Sequence, residues 1–265
     1  MNVSEGRDET TLAALSDAGG DCLLDVHADP YHHRSVYTLA GEPASVEQSV
    51  LDLVSRAIAL VDLGAHEGVH PRLGVADVIP FVPYRVPVSR ALAARERVAR
   101  ALASRGVPCF FYGPERSLPE VRKQAFTTLS PDLGPPRPHP RAGASCLGVR
   151  PVLVAYNLVV DADLETARRL ARRLRRPTVR ALAFRTGEET QVSFNLIEPA
   201  TTGPELVYDE VAAAVVVKRA ELVGLVPADV LATVPPSRYR ELDLSADRTV
   251  EARLARASSR PAARS

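Results

Sequence analysis

The sequence predicts an α+β fold: two α/β-sandwich subdomains of βαββαβ type, facing each other across a ligand cleft or tunnel. Three observations carry that prediction. From Pro151 the hydropathy pattern runs strand (152–160), helix (163–176), strand (179–184), strand (191–197), helix (204–219), strand (222–226). This is the split βαβ, or ferredoxin-like, order. The first half repeats the order from its helix onward, and then adds a further helix and strand. Between the halves, residues 131–143 crowd Pro, Gly and Arg into a loop that marks a seam. Two such sandwiches face to face favour a ligand between them.

In chain order, Ser4 or Asp8 is placed to cap a first helix that stops at Gly19-Gly20. Cys22-Leu23-Leu24-Asp25-Val26 and the alternating run Arg34 to Leu39 read as strands flanking a loop from His27 to His33. Val46, Val50, Leu53, Val54, Ala57 and Leu60 recur at helical spacing, and that helix is expected to end near Gly64. Val78 to Val82 reads as a strand whose Pro80 favours an edge position. Ser89 is expected to cap a helix to about Ser104, and Cys109 to Tyr112 forms the next strand. The expected division is 1–149, 150–236 and a partly disordered tail over 237–265 rich in Arg, Ala and Ser.

Composition excludes several classes. The chain has 265 residues, 46% hydrophobic and 25% charged, too apolar for a disordered protein. No run approaches the ~18 apolar residues of a membrane span, and the polar start is not a signal peptide. Three cysteines without CxxC spacing argue against a disulfide framework, so the chain is expected to be soluble and cytoplasmic. A net charge of +1 gives no basic footprint for nucleic acid. The arginines of the 163–176 helix lie opposite its apolar face and read as a solvated surface.

Two segments carry chemistry. His66-Glu67-Gly68-Val69-His70 matches HExxH, but Gly64, Gly68 and Pro71 oppose the helix that a zinc peptidase needs, and no third ligand follows. No metal is therefore expected. Histidines beside Arg72 and Asp77 suit proton transfer next to an anion site; a solvated basic loop is the plainer alternative. In His27-Ala28-Asp29-Pro30-Tyr31-His32-His33-Arg34, a turn set by Asp29-Pro30 that presents donors to a substrate is preferred to metal ligation.

Taken together, the segments resemble the formiminotransferase domain, found in glutamate formiminotransferase and as the N-terminal half of formiminotransferase-cyclodeaminase. The likeness is carried by Asn2-Val3-Ser4-Glu5-Gly6-Arg7, Leu23-Leu24-Asp25-Val26, Arg34-Ser35-Val36-Tyr37-Thr38 and His70-Pro71-Arg72-Leu73-Gly74. It continues through Asp77, Pro80-Phe81-Val82-Pro83, Tyr112-Gly113, Asp132-Leu133-Gly134-Pro135, Ala155-Tyr156-Asn157, Gln191 to Leu196 and Leu222 to Pro227. The motifs keep the family's order over residues 2 to about 230.

The resemblance implies transfer of a formimino group from N-formimino-L-glutamate to tetrahydrofolate as co-substrate, in a homodimer. It makes His70 the general acid/base and places substrate contacts at Arg72, His27, Asp25, Arg34, Asn157 and Asn195. The folate loop aligns with Gly134, Pro135, Pro136, Arg137, Pro138, His139, Pro140, Arg141, Ala142 and Gly143. His27 stands where the family often has Asp, Val69 where it often has Glu, and the folate loop is richer in Pro, Arg and His. Two alternatives follow from these departures: a catalytically silent folate- or anion-binding protein, or an enzyme converting 5-formyltetrahydrofolate. The family's first strand precedes the N-[FV]-S-E-G motif at which this chain begins, so that strand is expected to be missing.

Overall fold

The computed structural model describes residues 1–66 and 72–259, which form two compact units, Met1–Pro151 and Val152–Ser265. In unit 1 the order is β1 (Asn2–Val3), α1 (Glu9–Gly19), β2 (Leu23–Asp29), β3 (Arg34–Leu39), α2 (Pro43–Leu60), β4 (Ala76–Phe81), α3 (Val88–Ala103), β5 (Cys109–Tyr112), α4 (Leu118–Gln124) and β6 (Ser145–Val149). The six strands lie in the order β2-β3-β1-β4-β6-β5. The first four are antiparallel neighbours, whereas β4, β6 and β5 run parallel.

Asn2–Val3 forms a two-residue strand that the sequence reading did not place. It sits in the middle of the sheet, Asn2 opposite Val36 on one side and Val78 on the other. Two residues suffice because both flanks are paired; the same two residues carry too little pattern to read as a strand in sequence. β4 also differs from expectation, since it lies inside the sheet. Its pairing with β1 ends at Asn2↔Val78, however, so Pro80 has a partner strand only on its β6 side.

Side chains alternate between the faces of a sheet. Val3, Tyr37, Ala76, Ile79, Phe81, Leu147 and Phe111 meet α1, α2 and α3 in the main core, with Leu15, Leu53, Val54, Val98 and Leu102. On the opposite face, α4 and its neighbours cover Val78, Phe110, Tyr112 and Cys146 through Val121. That cover does not include the β2–β3 end. There the register Asp25↔Thr38, His27↔Val36 and Asp29↔Arg34 places a polar row on one face. His27, expected in a loop, is thus a strand residue.

Helix boundaries moved for local reasons. Asp8 caps α1, accepting from the Thr10 and Thr11 amides at 3.2 and 3.3 Å. Helix α2 ends at Leu60, and Ser89 lies inside α3, whose cap position is Pro87. The loop 131–143 is internal to unit 1, because Leu133 and Asp132 bond with Cys109; the seam falls at Pro151 instead.

Unit 2 consists of β7 (Val154–Asp161), α5 (Leu164–Leu174), β8 (Val179–Thr186), β9 (Glu189–Leu196), α6 (Pro204–Ala212), β10 (Val216–Val223), α7 (Ala228–Leu231) and α8 (Val250–Ser258). Its sheet is antiparallel in the order β10-β7-β9-β8. The helix expected over 204–219 stops at Ala212. From Val215 three successive valines favour extended backbone, and β10 pairs along β7.

The expected tail is corrected for residues 237–259. Leu242 and Leu244 enter the core of unit 2, and the Tyr156 hydroxyl donates to the Leu242 carbonyl at 2.8 Å. Arg238 grips Glu205 and Asp209 of α6, each at 2.8 Å. Alternating Arg and Glu read as polar tail because these partners are distant in sequence. Among the described residues, no helix is long and apolar enough to cross a membrane. Because Leu242 is fully buried, Leu242→Ala is expected to cost about 2–5 kcal/mol by urea denaturation. A loose tail would give no measurable change.

Candidate functional site

One end of the unit 1 sheet gathers three segments that are far apart in sequence. Beyond β1, the Ser4 amide donates to the Val75 carbonyl at 2.8 Å and its hydroxyl to the Gly74 carbonyl at 2.9 Å. Glu5 then turns its carboxylate back on the chain. Oε1 accepts from the successive amides of Gly6, Arg7 and Asp8 at 2.8, 2.7 and 3.0 Å. Gly6 itself lies on the β2–β3 turn. A Cβ there would sit 2.3 Å from the Asp29 carbonyl oxygen and 2.5 Å from the Arg34 nitrogen, so no side chain fits.

The turn between β2 and β3 is built by Asp29. One carboxylate oxygen accepts from the Tyr31 and His32 amides at 2.8 and 2.9 Å, and the other meets His32 Nδ1 at 2.5 Å. Burial alone would raise the Asp29 pKa; hydrogen bonds from the His32 side chain and amide outweigh it and bring it down to about 2. His33 follows with φ +49°, a left-handed conformation uncommon outside glycine. Its Nδ1 accepts from the Gly6 amide at 3.2 Å and lies 3.5 Å from Glu5 Oε1.

The His33 ring packs against His66, centroids 4.0 Å apart and planes tilted by 33°. His66 has extended backbone (φ −87°, ψ 121°), not the helical form that HExxH chemistry needs. Its Nε2 lies 3.2 Å from the His33 carbonyl, and Arg72 Nη1 reaches both ring nitrogens, 2.6 Å from Nε2. Burial pulls both imidazoles below the ordinary histidine value; the His66 charge adds to this at His33, and the Arg72 charge at His66. Arg72 Nη2 is 3.4 Å from the His32 carbonyl.

Behind Arg72, the buried Asp77 carboxylate accepts from the Leu73 amide at 2.7 Å and from Arg122 of α4 at 2.5 Å. Burial lowers the Arg34 and Arg72 pKa values, with the Asp77 charge opposing that shift in both and the Arg122 charge adding to it. The result is a cluster of guanidinium groups with imidazoles beside it. Carboxylate recognition and proton transfer are the chemistries such a set performs.

Of the residues expected at the site, Arg72 and Arg34 belong to this cluster. Asp25 and His27 lie on the same polar face, farther along β2. His70 lies outside the described residues. In the expected folate loop, Gly134 (φ +89°) and Gly143 (φ +66°) turn the chain, and His139 pairs with Gly143 through two 2.9 Å backbone bonds. His139 Nδ1 accepts from the Ala142 amide at 3.0 Å, and Arg141 donates to the Ala59 carbonyl in α2 at 3.2 Å. Pro135, Pro136, Arg137, Pro138 and Pro140 are exposed, whereas Ala142 is buried. Gly143 packs on Leu63 and Leu73, so the loop touches residues on both sides of segment 67–71. In unit 2, Asn157 and Asn195 share the sheet face opposite the helix-packed residues Tyr156 and Phe194, and Asn157 donates to Glu221 at 2.8 Å.

Sequence reasoning missed the roles of Glu5 and Arg122. Glu5 was visible as part of a motif without a stated role; Arg122 gave no signal, because only tertiary packing brings α4 to Asp77. Among the described residues, no group of three His, Cys, Asp or Glu side chains is arranged to hold a metal ion.

An α+β unit with this cluster at its sheet end can now be set beside known proteins. Residues 1–150 match the formiminotransferase domain, N-terminal subdomain. The chain is 32% identical over 269 residues to a formimidoyltransferase-cyclodeaminase of Sus scrofa, covering 87% of this chain and 50% of that protein. It is 35% identical over 201 residues to a glutamate formimidoyltransferase of Streptococcus pyogenes serotype M1, covering 66% of each. A glutamate formimidoyltransferase of Thermoplasma acidophilum is 33% identical over 272 residues, covering 88% of each. The chain thus belongs to the formiminotransferase family. It spans about half the length of the formimidoyltransferase-cyclodeaminases it matches.

Two outcomes follow from the turn. Gly6→Ala is expected to destabilise the protein by at least about 2 kcal/mol, read as a fall in the urea midpoint, because two backbones must separate. The depressed Asp29 pKa adds stability that is present above the ordinary value of 3.8 and lost as pH falls toward about 2. Asp29→Asn should therefore lower stability at pH 7 by about 1–2 kcal/mol. It should also flatten the acid limb in that window, which melts at stepped pH can follow.

Proposed function

We propose that this chain transfers a formimino group from N-formimino-L-glutamate to tetrahydrofolate, with His70 as general acid/base. The observation that carries the reading is the Arg72–His66–His33 cluster at the end of a sheet face left polar, in which Arg72 is the last residue of the His70-Pro71-Arg72 sequence motif. Family membership supplies the reaction class, and relatives bearing the name glutamate formimidoyltransferase support the donor. The strand orders β2-β3-β1-β4 and β10-β7-β9-β8 support a ferredoxin-like reading of both units. Homodimeric assembly, which rests on the resemblance, and a cytoplasmic setting, which rests on the composition and the cysteine spacing, are part of the proposal.

The proton inventory defines what the residues must do. N5 of tetrahydrofolate attacks the amidine carbon and loses a proton. The bond from that carbon to the glutamate nitrogen then breaks, and that nitrogen gains a proton. Nothing is oxidised or reduced. One imidazole near neutral pKa serves both transfers, with a typical contribution of about 10²–10⁴ in rate. Arg72 holds a donor carboxylate through paired N–H groups, and Arg34 adds charge behind it. Asp25 and His27 line the same face, and the roles of Asn157 and Asn195 as substrate contacts rest on the resemblance. The turn at 134–143 presents Arg137 and its flanking prolines to the folate.

His70→Ala is expected to lower kcat by about two to four orders of magnitude while leaving tetrahydrofolate affinity nearly unchanged. Calorimetric titration with tetrahydrofolate and a formiminoglutamate assay measure the two quantities, and turnover should be insensitive to chelators. Folate binding without turnover by the wild-type chain would favour a silent binding protein. Full activity in His70→Ala would remove the mechanism.

A further inference from the structure

We propose that His66 is a positioning residue: its neutral imidazole, packed against His33, fixes Arg72 in the orientation that receives the donor carboxylate, and its protonation releases that arginine. The inference rests on the proposed role of Arg72 in donor binding.

The hydrogen-bond inventory dictates the assignment. A neutral imidazole has one donor nitrogen and one acceptor nitrogen, whereas a guanidinium only donates and a carbonyl only accepts. Arg72 Nη1 lies against both ring nitrogens, 2.6 Å from Nε2, and the His33 carbonyl is 3.2 Å from Nε2, so a neutral ring accepts from Arg72 at whichever nitrogen carries no proton. His33 follows the turn in which Asp29 holds the Tyr31 and His32 amides, and its own Nδ1 is held by the Gly6 amide. Segments 5–8 and 29–34, with His66 and Arg72, are thereby joined in one chain of contacts ending on Arg72.

Protonation reverses the logic. Imidazolium has no acceptor, so a ring N–H would face a guanidinium donor, cation against cation. The charged groups acting on His66 are Arg72, which opposes its protonation, and Glu5, which favours it; the neighbouring His33 is itself titratable. Burial and Arg72 hold the imidazole below its ordinary 6.5, so the contact is intact at neutral pH and fails on acidification. The acid/base limb assigned to His70 acts on kcat; release of Arg72 acts on donor KM.

Steady-state kinetics in both substrates across pH 5–8 test this. His66→Ala is expected to raise KM for N-formimino-L-glutamate about tenfold, with kcat within about twofold and folate KM unchanged. His66→Gln offers a carbonyl to Arg72 and an amide N–H to His33 but cannot titrate. It should restore KM to within about twofold and abolish the rise in KM on acidification. A loss in kcat alone, or a KM that still rises with acid in His66→Gln, overturns the proposal. NMR titration of the His66 imidazole provides a readout without activity: Arg72→Gln should raise its pKa, and an unchanged value also overturns it. If the wild-type chain turns over no formiminoglutamate, the functional reading falls and takes the donor with it, while the titration still decides the Arg72–His66 contact.

Discussion

The site of unit 1 depends on how closely two backbones approach at Gly6. With Asp29 and Arg34 main-chain atoms inside 2.6 Å of where a Cβ would stand, the strand leaving β1 can lie on the β2–β3 turn only because that residue has no side chain. The approach delivers the Gly6 amide to His33 and the Glu5 carboxylate to three successive amides. Without it the paired histidines would have no floor. Arg72 would lose the partner that orients it.

Electrostatics at this end of the sheet are arranged by burial and pairing. Asp29 is held by several donors, which stabilises its charged form despite partial burial, while the buried Asp77 carboxylate accepts from the Leu73 amide and Arg122. Arg34, Arg72 and Arg122 surround Asp77 with positive charge. The imidazoles beside them stay neutral at pH 7, which lets one accept a hydrogen bond from a cation. A neutral acceptor next to guanidinium is chemically distinct from a row of like charges, and it makes the region responsive to acid.

The two sheets show how one element order accommodates different extensions. Unit 1 adds α3, β5, α4 and β6 beyond its first four strands, and α4 covers part of the face opposite the helices. The remaining polar row of Asp25, His27, Asp29 and Arg34 stays on that face because β2 and β3 lie at the opposite edge of the sheet. In unit 2 the C-terminal segment does a different job. Leu242 and Leu244 fill the core beside Tyr156, so the segment after Val226 is part of the fold.

Local pattern in the sequence determined much of this protein. Hydrophobic periodicity placed α2, capping signals placed α1 and α3 within a few residues, alternation placed β3, and glycine and proline marked the turns. Ordered motifs identified the family and singled out Arg72 and Arg34. Tertiary structure decided what local pattern cannot encode. A two-residue central strand has no periodicity of its own, and a valine run at the end of a helix becomes β10 only because β7 is there to pair with it. Arg122 reaches Asp77 from 45 residues away, and His33, Glu5 and His66 acquire their roles only by contact. Hydrogen bonds and charge pairs are short-ranged in space but indifferent to sequence separation, so their partners emerge only when the chain has folded.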